Sequence, residues 1–477
     1  MPSTILSVPP ALRAPEGGAL AETLAEIPQR AGVSADFPPD VLAEAERVAQ
    51  HPPLPDADMT DVEFATMDPA GSMDLDQAFF LARDGSGYRF LYAIADIAAF
   101  VAPDGPMDAE SHRRGETIYA AGHRIPLYPT VLSEGAASLL QGRLRGAFVW
   151  QFALDRTGAV TSRTVARARV RSRRRLDYAG VAQQLADGTA DEMLQLVQEV
   201  GTLRLQLEKQ RGGASLQAPE TVVSQVDGRY TVQRRAVQPL ENWNAELSLL
   251  TGMEAATIMI DGKVGILRTM PEADPHALET FRRQTEALGR PWPASQPYGD
   301  FLDDVDGSEP GDLAILHAAT RLFRGAGYTA FDGRVPADTM QSAIGAPYAH
   351  VTAPLRRLVD RYGLLVCEAL CAGREPADWV RAALPLLPEE MQHGGALSGQ
   401  VANRSLDAVE AAVLAPRIGE SFEATVVAQT KDGCTVQLAD PAVTAECAGH
   451  PATGSRVRVR LVRADVPTAE VRFELAA

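Results

Sequence analysis

The chain has 477 residues, 45% hydrophobic and 22% charged, the balance of an ordinary soluble globular protein long enough for about three domains. No uninterrupted apolar run approaches a membrane span, and residues 1–20 lack the basic start and apolar core of a secretory signal, so a cytoplasmic protein is expected. The net charge of −17 argues at first against nucleic acid, because phosphate binding draws on lysine and arginine.

Residues 1–60 are rich in alanine, proline and acids and predict a small helical lead-in, with helices near Ala19 to Ala31 and Pro39 to Gln50. From Asp61 to about Trp150 the pattern is β-rich. Within it, Thr66 to Ala78 reads T-M-D-P-A-G-S-M-D-L-D-Q-A and places Asp68, Asp74 and Asp76 in one turn between strand-like runs at Val62–Met67 and Ala78–Ala82. Two carboxylates about 4 Å apart repel by roughly 4 kcal/mol at the effective dielectric of a protein surface, so such a turn calls for a metal or for arginines. Hard oxygen ligands favour Mg²⁺ or Mn²⁺ over zinc. The alternative is a solvated acidic turn, for which Asp-Pro and Gly-Ser are ordinary punctuation.

Asp84-Gly85-Ser86-Gly87 predicts a hairpin turn and Tyr88 to Ile94 the strand that follows it. From Arg163 to Arg175 the chain carries seven arginines and no acid. This stretch reads either as one wall of a polyanion channel or as a sheet edge that charge protects from pairing. Helices are expected over Asp191 to Arg211, ending at Gly212-Gly213, over Ala245 to Met259, and over Pro275 to Leu288 between an Asp274 cap and Gly289.

A further helix is predicted from Pro354 to Gly373, with Leu355, Leu358, Val359, Tyr362 and Leu365 on one apolar stripe and Cys367 and Cys371 lining a buried face. Arg356 and Arg357 then fall in its first turn, where cations oppose the helix dipole but join free N–H groups in attracting anions, as a phosphate clamp does. The alternative is an Arg356–Asp360 pair with solvated arginines. From about Arg417 short alternating strands predict a five-stranded OB-type barrel with Arg456, Arg458 and Arg460 on one face. The four cysteines, Cys434 and Cys447 included, are too few and too badly spaced for a zinc site or a disulfide framework.

In this order the pieces resemble the ribonuclease II family of 3′-to-5′ exoribonucleases, from about Phe37 onward. Asp68, Asp74 and Asp76 are in register with the family's T-I-D-P and D-h-D-D-A motif. Y-A-I-A-D-I (Tyr92 to Ile97) resembles V-H-I-A-D-V, and R-G-E-T-I-Y-A-A-G-H-R-I-P-L-Y-P (Arg114 to Pro129) resembles R-G-x-S-x-Y … I-P-M-L-P. L-S-E-G-A-A-S-L (Leu132 to Leu139) resembles L-S-N-x-L-C-S-L, and Y-A-H-V-T-A-P-L-R-R-L-V-D (Tyr348 to Asp360) resembles Y-x-H-F-T-S-P-I-R-R-Y-x-D.

The resemblance implies an α+β chain: a helical N-terminal region at 1–60, a catalytic RNB-type domain with a mixed sheet and surrounding helices at 61–415, and an S1-like barrel at 416–477. It implies a metal-dependent hydrolase that removes mononucleotides from the 3′ end of single-stranded RNA and works as a monomer away from membranes. Residue by residue, Asp68, Asp74, Asp76 and Gln77 match the positions that hold Mg²⁺ (or Mn²⁺), and Asp76, Arg356 and Arg357 the catalytic ones. Tyr119 matches the ring that stacks on the terminal bases, and Tyr348, His350 and Thr352 extend the RNA contact.

Departures from the pattern carry their own expectations. Gln77 replaces the motif's fourth acid and brings no charge. The second stacking aromatic would fall near Leu216 or Gln217, and Cys434 and Val436 stand at barrel positions where rings are expected. A downstream carboxylate of the family is Asp407 or Glu410. The usual two N-terminal OB-fold domains do not fit in residues 1–60. Two rival readings follow: a degenerate relative that binds RNA or a protein without cleaving it, and a phosphodiesterase of small nucleotides, against which the C-terminal barrel argues.

Overall fold

A computed structural model of the chain describes residues 18–476 except 122, 215, 217–219, 227–228, 236 and 306–309. At its centre lies a six-stranded sheet in the order Val160–Arg171, Leu144–Leu154, Gly87–Ala95, Gln77–Asp84, Ala65–Met67, Arg174–Leu176. Its strands run antiparallel except the last pair, where Ala65–Met67 lies parallel to Arg174–Leu176. In the strand Gly87–Ala95, Phe90, Leu91, Tyr92, Ala93, Ile94 and Ala95 are all buried, so both faces are covered and the sequence reads as a continuous apolar run. Asp84 pairs with Gly87 across the expected two-residue turn.

Helices surround this sheet. Asp191 caps the helix Glu192–Gln210 by accepting from the Leu194 N–H at 3.0 Å, and Gly212, at φ 75°, ends it. Asp274 caps Pro275–Ala287 in the same way. The helix expected at Ala245–Met259 is longer, Pro239–Gly262. Ala19–Arg30 and Pro39–Gln50 are the two N-terminal helices. Glu44 of the second accepts from the Met107 N–H at 2.8 Å, at the start of the helix Pro106–Arg114. Leu24 and Ile27 of the first pack with Ile118, Ala121, Val401 and Val409, which puts the N-terminal segment behind the strand that carries Tyr119. Among the described residues no helix is long and apolar enough to cross a membrane.

The arginine run is an ion-paired edge. Val160–Arg171 is the outermost strand, and Arg163 meets Glu254 at 3.0 Å, Arg167 meets Asp96 at 2.9 Å and Arg169 meets Asp58 at 3.2 Å. Arg174 is bound to Asp191. These acids come from elsewhere in the chain, while Arg173 and Arg175 donate to the carbonyls of Thr60 and Ser72.

Five strands, Ser421–Gln429, Cys434–Leu438, Thr444–Ala448, Arg456–Asp465 and Glu470–Leu475, close a C-terminal barrel. Arg456, Arg458 and Arg460 are exposed on one face, as their spacing predicts. Acids of the same barrel accompany its arginines: Glu474 accepts from Arg460 at 2.8 Å, and Arg463 lies 2.9 Å from Glu470. Cys434 and Val436, at the strand positions where the family pattern has rings, point into the barrel and are fully buried. The period of two puts Thr435 and Gln437 outward instead.

Candidate active site

Three segments far apart in sequence meet at the C-terminal side of Ala65–Met67. The first is the loop from Asp68 to Asp76. Its Leu75 is buried, the Leu75 N–H donates to Ser138 Oγ at 3.0 Å, and the Ser138 hydroxyl donates to the Met73 carbonyl at 2.6 Å. The segment Leu132–Leu139 thus serves to clamp the acidic loop.

The second segment is Ala353–Arg357. The expected helix begins later, at Leu358, because the Asp360 carboxylate takes the Ala353 N–H at 2.7 Å and leaves Arg357 extended at φ −135°. Arg357 donates two hydrogen bonds of 2.8 Å to the same carboxylate. The arginine paired with Asp360 is therefore Arg357, not Arg356, and its guanidinium is held inward rather than offered as half of a phosphate clamp. Arg356 keeps 44% of its side chain exposed, with Nε 3.8 Å from Asp76 Oδ2.

The third segment, Arg114 to Ile125, straps the other two together. The Thr117 N–H donates to the Arg356 carbonyl and the Leu358 N–H to the Gly115 carbonyl, each at 2.9 Å. The Tyr119 ring, 38% exposed on the hairpin Ile118–Ala120/His123–Ile125, donates its hydroxyl to Asp74 at 3.3 Å.

Asp76 is 6% exposed; its Oδ1 accepts from the Leu355 N–H at 2.7 Å, which joins the acidic loop directly to the arginine turn. Burial holds its carboxyl well above the usual range, Arg356 and the Leu355 N–H oppose this, and Asp74 and Asp360 add to it. Burial and then Asp74 push Asp68 up to about 6, against Arg356 and Arg175. Asp74 is thus an electrostatic neighbour of both other acids; at Asp76 the pull of Arg356 exceeds its repulsion, and burial is what keeps both carboxyls high.

Among the described residues no three acidic, histidine or cysteine side chains converge closely enough to hold an ion by themselves. A divalent ion here would be held by one or two of the carboxylates of Asp68, Asp74 and Asp76 and completed by water and substrate phosphates. Asp74 also meets Arg124 at 2.5 Å, and Arg124 is bound in turn to Glu134.

The Gln77 amide is engaged at both ends: its N–H donates to the Thr352 carbonyl at 2.7 Å, and its oxygen accepts from the Tyr92 hydroxyl. Gln77→Asp would remove the donor and set a charge beside a carbonyl. A loss of roughly 1–3 kcal/mol in chelator is expected from urea unfolding, and unchanged stability would show that these hydrogen bonds contribute nothing.

Thr352 and Tyr348 are buried, Thr352 under Ser248, whose hydroxyl lies at 3.0 Å, and Tyr348 against Gly252, where a Cβ would fall 2.1 Å from the ring. His350 bonds the Tyr328 hydroxyl at 2.8 Å. Asp407 and Glu410 lie on the helix Leu387–Leu414, and Glu410 faces Arg234 and the Thr444 N–H of the barrel rather than the acidic loop. Leu216 packs into a separate cluster around Trp292 and Phe301, and Gln217 lies outside the described residues. The sequence reading missed Arg124, which lies inside a segment it quoted. It also missed Tyr178, whose hydroxyl, bonded to Asn244 at 3.0 Å, is pushed up to about 12 by burial and Asp68.

Residues 56–370 match the RNB domain and residues 420–476 the C-terminal S1 domain of RNase II-type exonucleases. The chain belongs to the RNB family. Ribonuclease R of Escherichia coli (strain K12) is 26% identical to this RNB protein over 325 residues, covering 64% of this chain and 39% of that one. The chain thus spans about two-fifths of the length of the curated relatives it first matches. The solved Mycoplasma genitalium RNase R, in complex with ribose-methylated single-stranded RNA, superposes with a TM-score of 0.85 at 18% identity over 96% of this chain and 78% of that one. Yeast Ssd1, described as a pseudonuclease, gives 0.70 at 13% identity over 88% and 55%.

Proposed function

We propose that this RNB protein is a metal-dependent 3′-to-5′ exoribonuclease that hydrolyses single-stranded RNA to 5′-mononucleotides. The observation that carries the reading is the junction of Asp76 with the Leu355–Arg356 turn: a buried carboxylate, two further acids in its field and one half-exposed arginine meet at one point. Asp68, Asp74 and Asp76 would hold Mg²⁺ or Mn²⁺, which supplies an activated water and takes up charge on the phosphoryl oxygens. Arg356 is free to approach the scissile phosphate and stabilise charge that develops on it. The Tyr119 ring offers a stacking face beside Asp74, and stacking suits a strand binder indifferent to sequence.

The test is 5′-labelled single-stranded RNA incubated with the protein in Mg²⁺, in Mn²⁺ and in EDTA. A ladder that shortens from the 3′ end and vanishes with chelator is expected. RNA that is bound yet intact in every lane would instead establish the second reading, a family member that binds without cleaving. Two observations favour that reading: the neutral Gln77, and the Arg124 guanidinium already seated on Asp74.

Tyr119→Ala is expected to weaken RNA by about 1–3 kcal/mol per lost stacked base and to lengthen the final product. Tyr119→Phe, which keeps the ring and loses only the bond to Asp74, should retain the wild-type product length on a sequencing gel. Equal products from the two variants would remove the ring from the substrate path.

A further inference from the structure

A second arginine is tied to the segment that carries Arg356. Arg268, on the strand Val264–Thr269, is the cross-strand partner of Tyr328, and its guanidinium sits 4.6 Å above the Tyr328 ring. The Arg268 N–H donates to the Tyr348 carbonyl at 2.8 Å, which ties this strand to the segment that continues to Arg356. The Tyr328 hydroxyl meets His350 Nδ1 at 2.8 Å, and the His350 ring packs edge-on against Tyr348, with centroids 5.4 Å apart.

Arg268 differs from the arginines around it. Arg357 is fixed to Asp360, Arg124 to Asp74 and Glu134, and Arg175 to the Ser72 carbonyl. Among the described residues the half-buried Arg268 guanidinium makes no hydrogen bond and no ion pair; its recorded contact is the ring of Tyr328. Burial first, and then Arg357, Arg268 and Arg356, hold the His350 imidazole neutral, and the same arginines act on Glu116, which a Ser398 hydrogen bond also engages. A neutral His350 brings no positive charge for an anion, which leaves the guanidinium donors of Arg268 as the cationic group on this side of Tyr328.

We infer that Arg268, stacked on Tyr328 and linked through its backbone to the segment that carries Arg356, is a second phosphate-binding residue that holds the phosphodiester next to the one Arg356 serves. It rests on the nuclease reading for the identity of the strand, and it makes Arg268 a binding group that positions RNA rather than one that stabilises the reacting phosphate. Planar guanidinium stacked on an aromatic ring keeps its in-plane donors free, the geometry suited to phosphate oxygens.

The experiment measures binding of 5′-labelled single-stranded RNA in EDTA, so that cleavage plays no part. Each phosphate contact on a single strand contributes about 0.7 to the slope of log K against log salt. Arg268→Gln is expected to lower that slope by about this amount, and Arg268→Lys, which keeps the charge, to restore it. In Mg²⁺ the Gln variant should raise KM more than it lowers kcat. An unchanged slope and KM in Arg268→Gln overturns the inference while leaving the nuclease reading intact, whereas a wild-type protein that binds no RNA overturns the nuclease reading itself. A second measurement uses wild-type protein alone, with the phosphodiesters near the 3′ end replaced one at a time by neutral methylphosphonates. Binding should fall at two adjacent positions, and a fall at one position only would also overturn the inference.

Discussion

Asp76→Asn abolishes RNA shortening while the protein stays folded: that is the expected result, and both halves follow from one carboxyl group. Asparagine keeps an oxygen for the Leu355 N–H, the 2.7 Å bond that joins the acidic loop to the arginine turn. The scaffold is therefore retained. What disappears is the negative charge, and with it the capacity to hold a cation and to face Arg356 at 3.8 Å. A drop in rate of about 10²–10³-fold or more is expected, the scale on which single preorganised electrostatic groups act.

The stability half has the opposite sign. Asp76 is buried, and burial disfavours its charged form despite Arg356 and the Leu355 N–H. Replacing a costly charge by a neutral isostere should leave the melting temperature in EDTA equal to or above that of the wild type, the trade between stability and activity common at functional sites. Calorimetry in chelator checks it. A variant that melts well below the wild type would mean that the carboxylate holds the fold together, and loss of activity would then say little about chemistry.

How much of this could be read from the chain depends on how local the determinants were. Asp274 and Gly289 bracket a helix by their own backbone chemistry, and the structure follows them to within a residue. The barrel and the Gly85–Ser86 turn are similarly local. The differences come from partners, near or far along the chain, that the local pattern does not announce. Pro354 reads as a helix opener, yet Asp360 folds back to take the Ala353 N–H and delays the helix to Leu358. The arginine run reads equally as a channel wall or a charged sheet edge; it is the edge strand, and its ion partners Glu254, Asp96 and Asp58 lie far along the chain. At Gln77, nothing in the neighbouring sequence announces that Tyr92 and the Thr352 carbonyl bond its amide. The convergence of Asp76 with Arg356 is likewise non-local. The family motifs made it legible where periodicity could not.

The adjacent arginines give the second large effect, because neighbours in sequence stand in opposite environments. Arg357→Ala leaves Asp360, whose side chain is 0% exposed, without either of its two guanidinium bonds. Breaking a buried pair from one side costs about 3–5 kcal/mol, a large share of a domain's stability, so this variant is expected to unfold early in urea. Arg356→Ala removes a side chain that is 44% exposed and makes no short hydrogen bond, so its urea midpoint should stay close to that of the wild type. Its RNA hydrolysis should nevertheless fall by about 10²–10³-fold, mostly in kcat. Arg356→Lys sharpens the assignment: a point charge without the planar fork should recover only part of the rate if the guanidinium grips phosphate oxygens in pairs. The two single variants therefore separate along different axes, one in stability and one in turnover. If Arg356→Ala lost stability and Arg357→Ala lost only turnover, the roles drawn from the Asp360 pairing would be reversed, and with them the claim that Arg356 alone of the two is free to meet the substrate.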